Sequence, residues 1–262
     1  MKTEGYLKED EIIYFLNNHK VKDLNPNLYS MVKTLYGVVD PDWIIKCEYG
    51  VEFTKPDFVI TINDKKRYVS MKSGKAEYVH GEPISTFIPF LRSIGVSKET
   101  LRTLLLYHFG DGTLDGTGKN RMAGDKVADW LSEKLIAVNQ ELSEEEVMWK
   151  IIDRCLFQGI RDDVPSADAI YFGDVEYGKV ATKKQIKKHY EKGDKRYRNL
   201  TRSIHIGPLI VKPEARYAGV PIKSEKKHMK VTISWMHLRE DIEYINKHYD
   251  SYTPMRHRTY EE

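Results

Sequence analysis

A chain of 262 residues, 40% hydrophobic and 31% charged, is long enough to bury a sizeable core and too apolar to stay disordered. Its two cysteines exclude a disulfide scaffold, and no apolar run reaches the length of a membrane span. The net charge of +3 is unevenly spread: ten Lys or Arg stand against two acids between Lys179 and Arg202, so the rest of the chain is net negative. With no apolar signal region at Met1 and with Cys47 and Cys155 in apolar surroundings, the expectation is a soluble cytoplasmic protein with two buried free thiols.

In chain order, Leu7 to Asn18 predicts an amphipathic helix and Asn27 to Tyr36 a second, shorter one. Strands are predicted at about Trp43 to Glu48, Asp57 to Ile62 and Arg67 to Lys72. Helices follow over Ile84 to Ser93 and Lys98 to His108; a glycine-rich loop, Gly110 to Gly118, leads into another over Asp125 to Glu141. Ser143-Glu144-Glu145-Glu146 reads as a capping box opening a helix that ends near Gln158. Beyond Pro165 the pattern turns strand-rich, with Ala169 to Gly173 and Lys179 to Thr182 as a hairpin. Ile206 to Val211 and Met229 to Trp235 read as further strands, and His237 to Tyr249 as a closing helix. The mixed order predicts an α/β (α+β) chain with a central mixed sheet flanked by helices. No linker breaks it, so residues 1–262 read as one domain, with a core of about 40–160 and a strand-rich basic part of about 165–262.

The most informative stretch is Lys55 to Glu82. Phe58, Ile60 and Ile62 alternate on one side of a polar turn, Asn63-Asp64-Lys65-Lys66, and Val69 and Met71 alternate on the other. A turn centred on Asp64-Lys65 sets Asp57 opposite Lys72 and Val59 opposite Ser70. Asp57, Ser70 and Lys72 then project from one face, a carboxylate and an ammonium within reach of one phosphate.

At these residues the chain resembles the PD-(D/E)xK nuclease superfamily, the restriction-endonuclease-like fold. Pro56-Asp57 matches the PD, and Ser70-Met71-Lys72 stands where (D/E)xK is expected, with Ser70 in place of the second acid. A subgroup of type II restriction enzymes shows the same S/T-x-K form, with a glutamate at the start of the following helix as the missing carboxylate. The resemblance, which covers residues of about 40 to 95, implies Asp57, Ser70, Lys72 and Glu82 as the catalytic set. It implies Asp57 and Glu82 as metal ligands, with Glu77 as the fallback and Glu48 and Glu52 as further candidates. Pro83 suits the first turn of a helix behind Glu82. Many members also use an acid on the helix before the first of these strands, and no single residue stands out for that place.

The implied chemistry is Mg²⁺-assisted hydrolysis of DNA. Carboxylates suit this hard cation, which polarises the phosphoryl oxygen, and Lys72 would orient the attacking water and stabilise developing negative charge. In the basic run, Lys183, Lys184, Lys187 and Lys188 are the expected phosphate contacts, and Arg196, Arg198 or Arg202 the expected readers of base edges. Lys119 and Arg121, beside the glycine-rich loop, are second candidates for DNA contact. That loop lacks the spacing of a calcium loop or a P-loop. The expectation is a Mg²⁺-dependent endonuclease on double-stranded DNA, of the type II restriction kind. It would act as a homodimer, with a separate DNA methyltransferase as a cognate partner. A structure-specific repair or phage-defence nuclease, and a catalytically inactive DNA-binding protein on the same fold, are the alternatives.

Overall fold

The computed structural model describes residues 4–51, 55–73, 78–118, 120–191, 196–213 and 230–249. Two compact units interleave along the chain. The first takes residues 1–74, 167–189 and 239–262; the second takes 75–166 and 190–238. The α/β class therefore holds, but the division does not follow chain order as the sequence reading expected, and each unit has its own sheet.

In the first unit, α1 (Glu4–Leu16) and α2 (Pro26–Tyr36) precede β1 (Lys46–Tyr49), β2 (Phe58–Ile62) and β3 (Lys65–Lys72). The later segments add β5 (Ala169–Gly173), β6 (Gly178–Thr182), α7 (Lys183–His189) and, from Arg239 onward, α8 (Leu238–His248). Strand order is β1-β2-β3-β5-β6, antiparallel except for the parallel pair β3–β5. Asp168 fastens that pair: its carboxylate accepts the Tyr68 amide at 2.9 Å and its own amide donates to the Tyr68 carbonyl at 2.6 Å. Ile12, Leu16, Leu28, Met31 and Val32 of the two helices bury against Phe58, Ile60, Val69 and Tyr171 of the sheet. At about 1.5–3 kcal/mol per buried large apolar side chain, this layer is the main stabilisation of the unit. Asn25 starts α2 by accepting the amides of Asn27 and Leu28, with Pro26 at the first helical position.

The second unit carries β4 (Tyr78–Pro83), β7 (Ile204–Ile206), β8 (Leu209–Pro213) and β9 (Lys230–Trp235) in the antiparallel order β4-β9-β8-β7. Its helices are α3 (Ile84–Ser93), α4 (Lys98–Phe109), α5 (Gly124–Leu142) and α6 (Glu145–Asp153), the last running into a π-helical turn, Arg154–Gln158. Three expectations change here. Glu82 does lie just before α3, as expected, but the segment leading to it is strand β4, and Pro83 takes the N-cap position rather than the first turn. The run Ile206 to Val211 is not one strand but the two arms of a hairpin, because Gly207 takes a positive φ and Pro208 follows it. Ser143 does not cap α6: it closes α5, Glu144 takes the N-cap position, and the buried Ser143 hydroxyl has no hydrogen-bond partner among the described residues. Both cysteines are buried thiols outside any disulfide, as expected, and burial pushes the Cys47 thiol up to about 12. Among the described residues no helix is long and apolar enough to cross a membrane.

Candidate active site

The β2–β3 hairpin turns on Asn63-Asp64, both at positive φ (48° and 61°), one residue earlier than the expected Asp64-Lys65. Two left-handed residues give a two-residue turn whose twist matches the strands, and Asn and Asp tolerate that conformation. Phe58 consequently pairs with Val69 and Val59 with Tyr68, so Asp57 stands beside Ser70 rather than opposite Lys72. The correction moves the partner strand by two residues. An even shift leaves every side chain on its face, so Asp57, Ser70 and Lys72 still share one side.

Asp57 is held on one oxygen by two hydrogen-bond donors and one ion pair. Its Oδ2 accepts the Ser70 hydroxyl at 3.0 Å and the Met71 amide at 2.5 Å, and Lys72 Nζ lies 3.7 Å away. Every contact on this carboxylate among the described residues falls on Oδ2. Lys72 Nζ is itself steadied by donating to the Met71 carbonyl at 2.7 Å, and both side chains are about one-fifth exposed. Ser70, fully buried, is thus the residue that orients Asp57. Gly50, just past the end of β1, allows the close approach: its amide donates to the Asp57 carbonyl at 2.9 Å, and a Cβ there would collide with the Pro56 carbonyl.

A second carboxylate comes from α1. Glu9 shares the helix face of the buried Ile12, Ile13 and Leu16, which turns it toward the sheet. Its carboxyl is pushed up to about 7, first by burial and next by the negative charge of Asp57; Lys72 works in the opposite direction and Asp10 adds a smaller upward push. Glu9 is a candidate for an acid on the helix before β1, a place for which sequence reasoning singled out no residue. Its signal was readable, because 9, 12, 13 and 16 are spaced i, i+3, i+4 and i+7, and an acid in a core-facing stripe needs a reason to be there. Asp10, next to it, accepts the Tyr49 hydroxyl instead.

Glu82 is placed differently from expectation. It lies in β4 of the second unit, 1% exposed, with both oxygens engaged. Arg154 clamps it in a two-pronged contact (Nε to Oε1 2.9 Å, Nη2 to Oε2 2.8 Å), His80 Nε2 lies 3.1 Å from Oε1, and the Thr86 hydroxyl donates to Oε2 at 2.9 Å. Burial would raise this carboxyl, but the bonds from Arg154 and His80 hold it down at about 2. The Arg154 guanidinium also covers the Phe90 ring at 4.4 Å. A carboxylate so saturated is a structural anion, with both oxygens already engaged. Glu48 is exposed on β1, paired with Val59. Glu52, Glu77 and Lys119 lie outside the described residues.

Among the described residues no three His, Cys, Asp or Glu side chains converge on one point. The pair Glu9 and Asp57 nevertheless fits Mg²⁺, which keeps several waters and takes one or two protein carboxylates together with substrate phosphate. A carboxyl whose proton affinity is raised by burial and then by a second carboxylate is one that a divalent cation would relieve.

The basic run divides between the units. Lys183, Lys184, Lys187 and Lys188 lie on α7, the last three exposed, whereas Arg196, Arg198 and Arg202 belong to the second unit. Arg196 is exposed and lies over the Tyr197 ring. Arg198 donates to the Ser143 carbonyl at 3.0 Å, and Arg202 to Asp129 at 2.8 Å. The expectation that Arg121 meets DNA needs correction: it is 4% exposed and donates to the carbonyls of Tyr107 and His108, closing the C-terminal end of α4. The glycine-rich loop beside it satisfies itself. Asp111 accepts the Thr113 amide and hydroxyl and the Gly118 amide, and Asp115 accepts those of Thr117.

Comparison of the chain with models of protein families, with curated proteins and with solved structures finds no match in any of the three.

Proposed function

We propose that this chain is a Mg²⁺-dependent endonuclease that hydrolyses phosphodiester bonds of double-stranded DNA, of the site-specific type II restriction kind. The observation that carries the reading is the grouping of Asp57, Lys72 and Glu9, with Asp57 fixed by Ser70 and the Met71 amide. Glu9 and Asp57 would hold the ion, which when bound supplies Lewis-acid polarisation of the scissile phosphate. Lys72, already anchored on a backbone carbonyl, carries a fixed positive charge to the phosphate, where it stabilises developing negative charge and orients the attacking water. Ser70 touches neither ion nor phosphate in this reading; it keeps Asp57 in its rotamer. The deciding experiment incubates purified protein with plasmid DNA and Mg²⁺ and maps the fragment ends. Discrete, repeated ends support a restriction enzyme. Nicks that follow DNA structure rather than sequence point to a repair-type nuclease, and an intact plasmid of shifted mobility overturns the enzymatic reading.

The lysines of α7 supply the expected non-specific attraction. Changing Lys183, Lys184, Lys187 and Lys188 to alanine should weaken binding to all duplexes alike and flatten its salt dependence. Every phosphate left without its lysine lowers the slope of log affinity against log salt by roughly 0.9. An unchanged slope would make this face a solvated surface.

A further inference from the structure

Helices α7 and α8 of the first unit carry a cluster of rings that the cleavage site does not use. Tyr244 and His248, one turn apart on α8, are stacked with centroids 4.0 Å apart and planes inclined by 23°. Both are exposed, Tyr244 by 49%. His189, the last residue of α7, brings its ring within 5.4 Å of Tyr244 and 5.6 Å of Tyr249. His189 and Tyr249 are half-buried, and Gln185 donates to the Tyr249 carbonyl, so the rings rest on a fixed floor.

The rim is cationic. Lys184, Lys187 and Lys188 are spaced i, i+3, i+4 on the exposed face of α7, and Lys247 is exposed on α8 between the stacked rings in sequence. Among the described residues no acid pairs with Lys184, Lys188 or Lys247. The carboxylate next to Tyr244, Glu243, is bound by Arg239 at 3.0 Å. A pre-stacked pair of rings offers a flat π-face to solvent at little entropic cost, and every nucleobase has a matching face. Bases inside a duplex are already stacked and cannot use it. Lysines alone would hold any polyanion, and it is the rings that select unpaired bases.

We propose that the α7–α8 surface binds single-stranded DNA, with unpaired bases stacking on Tyr244 and His248 and the neighbouring lysines holding the backbone. The proposal rests on the DNA reading above and adds to it a second contact, one made with unpaired bases rather than with the duplex. Binding is tested on the full chain in EDTA, where no cleavage interferes, by fluorescence anisotropy of a labelled oligothymidylate of about 16 nucleotides and of a blunt duplex of equal length. The double variant Tyr244→Ala, His248→Ala should lose about tenfold or more in affinity for the single strand and leave duplex affinity unchanged, while Tyr244→Trp should keep the single-strand affinity. Both residues are exposed, and unchanged circular dichroism confirms that the fold is intact. Unchanged single-strand affinity in the double variant overturns the proposal, and so does an equal loss on the duplex. Ring-dependent binding that is tighter for oligouridylate overturns the assignment to DNA. Ring-dependent binding of the single strand by a protein that does not cut plasmid leaves this surface standing and removes only the endonuclease reading.

Discussion

Asp57→Asn, Lys72→Ala and Glu9→Gln are each expected to abolish cleavage while leaving DNA binding in Ca²⁺ largely intact. Losing a ligand carboxylate or the phosphate-facing ammonium removes stabilisation of the transition state, a loss on the order of 10²–10³-fold or more in rate. Glu9 makes the prediction specific, because its carboxyl is pushed up to about 7 by burial and by Asp57. A ligand must lose its proton to hold a cation. Cleavage at limiting Mg²⁺ should therefore climb as pH rises through about 7 and level off above it. For folding, the sign runs the other way. A carboxyl whose proton affinity is raised in the folded state favours folding in acid; stability declines as pH rises from the ordinary carboxyl range to about 7, and the cost stays constant above. Glu9→Gln should remove that cost, raising stability by about 1–2 kcal/mol at about pH 8 after allowance for partial exposure. Urea unfolding would read the gain and a plasmid assay the loss. A variant that cuts at the wild-type rate removes Glu9 from the site, and one that neither cuts nor gains stability removes the crowded carboxylate pair as its cause.

The face shared by Asp57, Ser70 and Lys72 was legible because strand alternation has a period of two, and moving a two-residue turn by one residue shifts the partner strand by two. The turn itself was missed because Asn63-Asp64 lacks the glycine that usually marks two left-handed positions. Helices with clean apolar stripes, α3 among them, fall where the sequence placed them. What the sequence could not carry was the partnership of charges far apart in the chain. Glu82 looked like a spare acid before a helix until Arg154, seventy-two positions away, closed on it. Arg121 looked like a loop cation until the carbonyls at the end of α4 took it. Interleaving of the two units was equally hidden, since no linker composition marks the crossings near residues 74, 167, 189 and 239.

The Arg154–Glu82 clamp carries the largest expected effect on stability. Arg154→Met strands a 1%-exposed carboxylate with only His80 and Thr86 for company, at a cost of about 3–5 kcal/mol, since the remaining charge keeps its burial and loses its main partner. Replacing both partners, Glu82→Leu with Arg154→Met, should recover much of that loss, because an apolar pair in place of a buried ion pair is often near neutral. The pH dependence follows from the depressed carboxyl. With Arg154 present, Glu82 is held at about 2, so its stabilisation is complete at neutral pH and fades only as pH falls below the ordinary carboxyl range toward 2. Without Arg154 the carboxyl regains a proton more readily, and the gap between variant and wild type should narrow as the solution is acidified. The same measurements separate a structural anion from a metal ligand. A ligand would make Glu82→Gln change the Mg²⁺ dependence of cleavage with little loss of stability. A clamp makes it lower the unfolding midpoint and leave that dependence alone, which is the result expected from four bonds already made to its two oxygens.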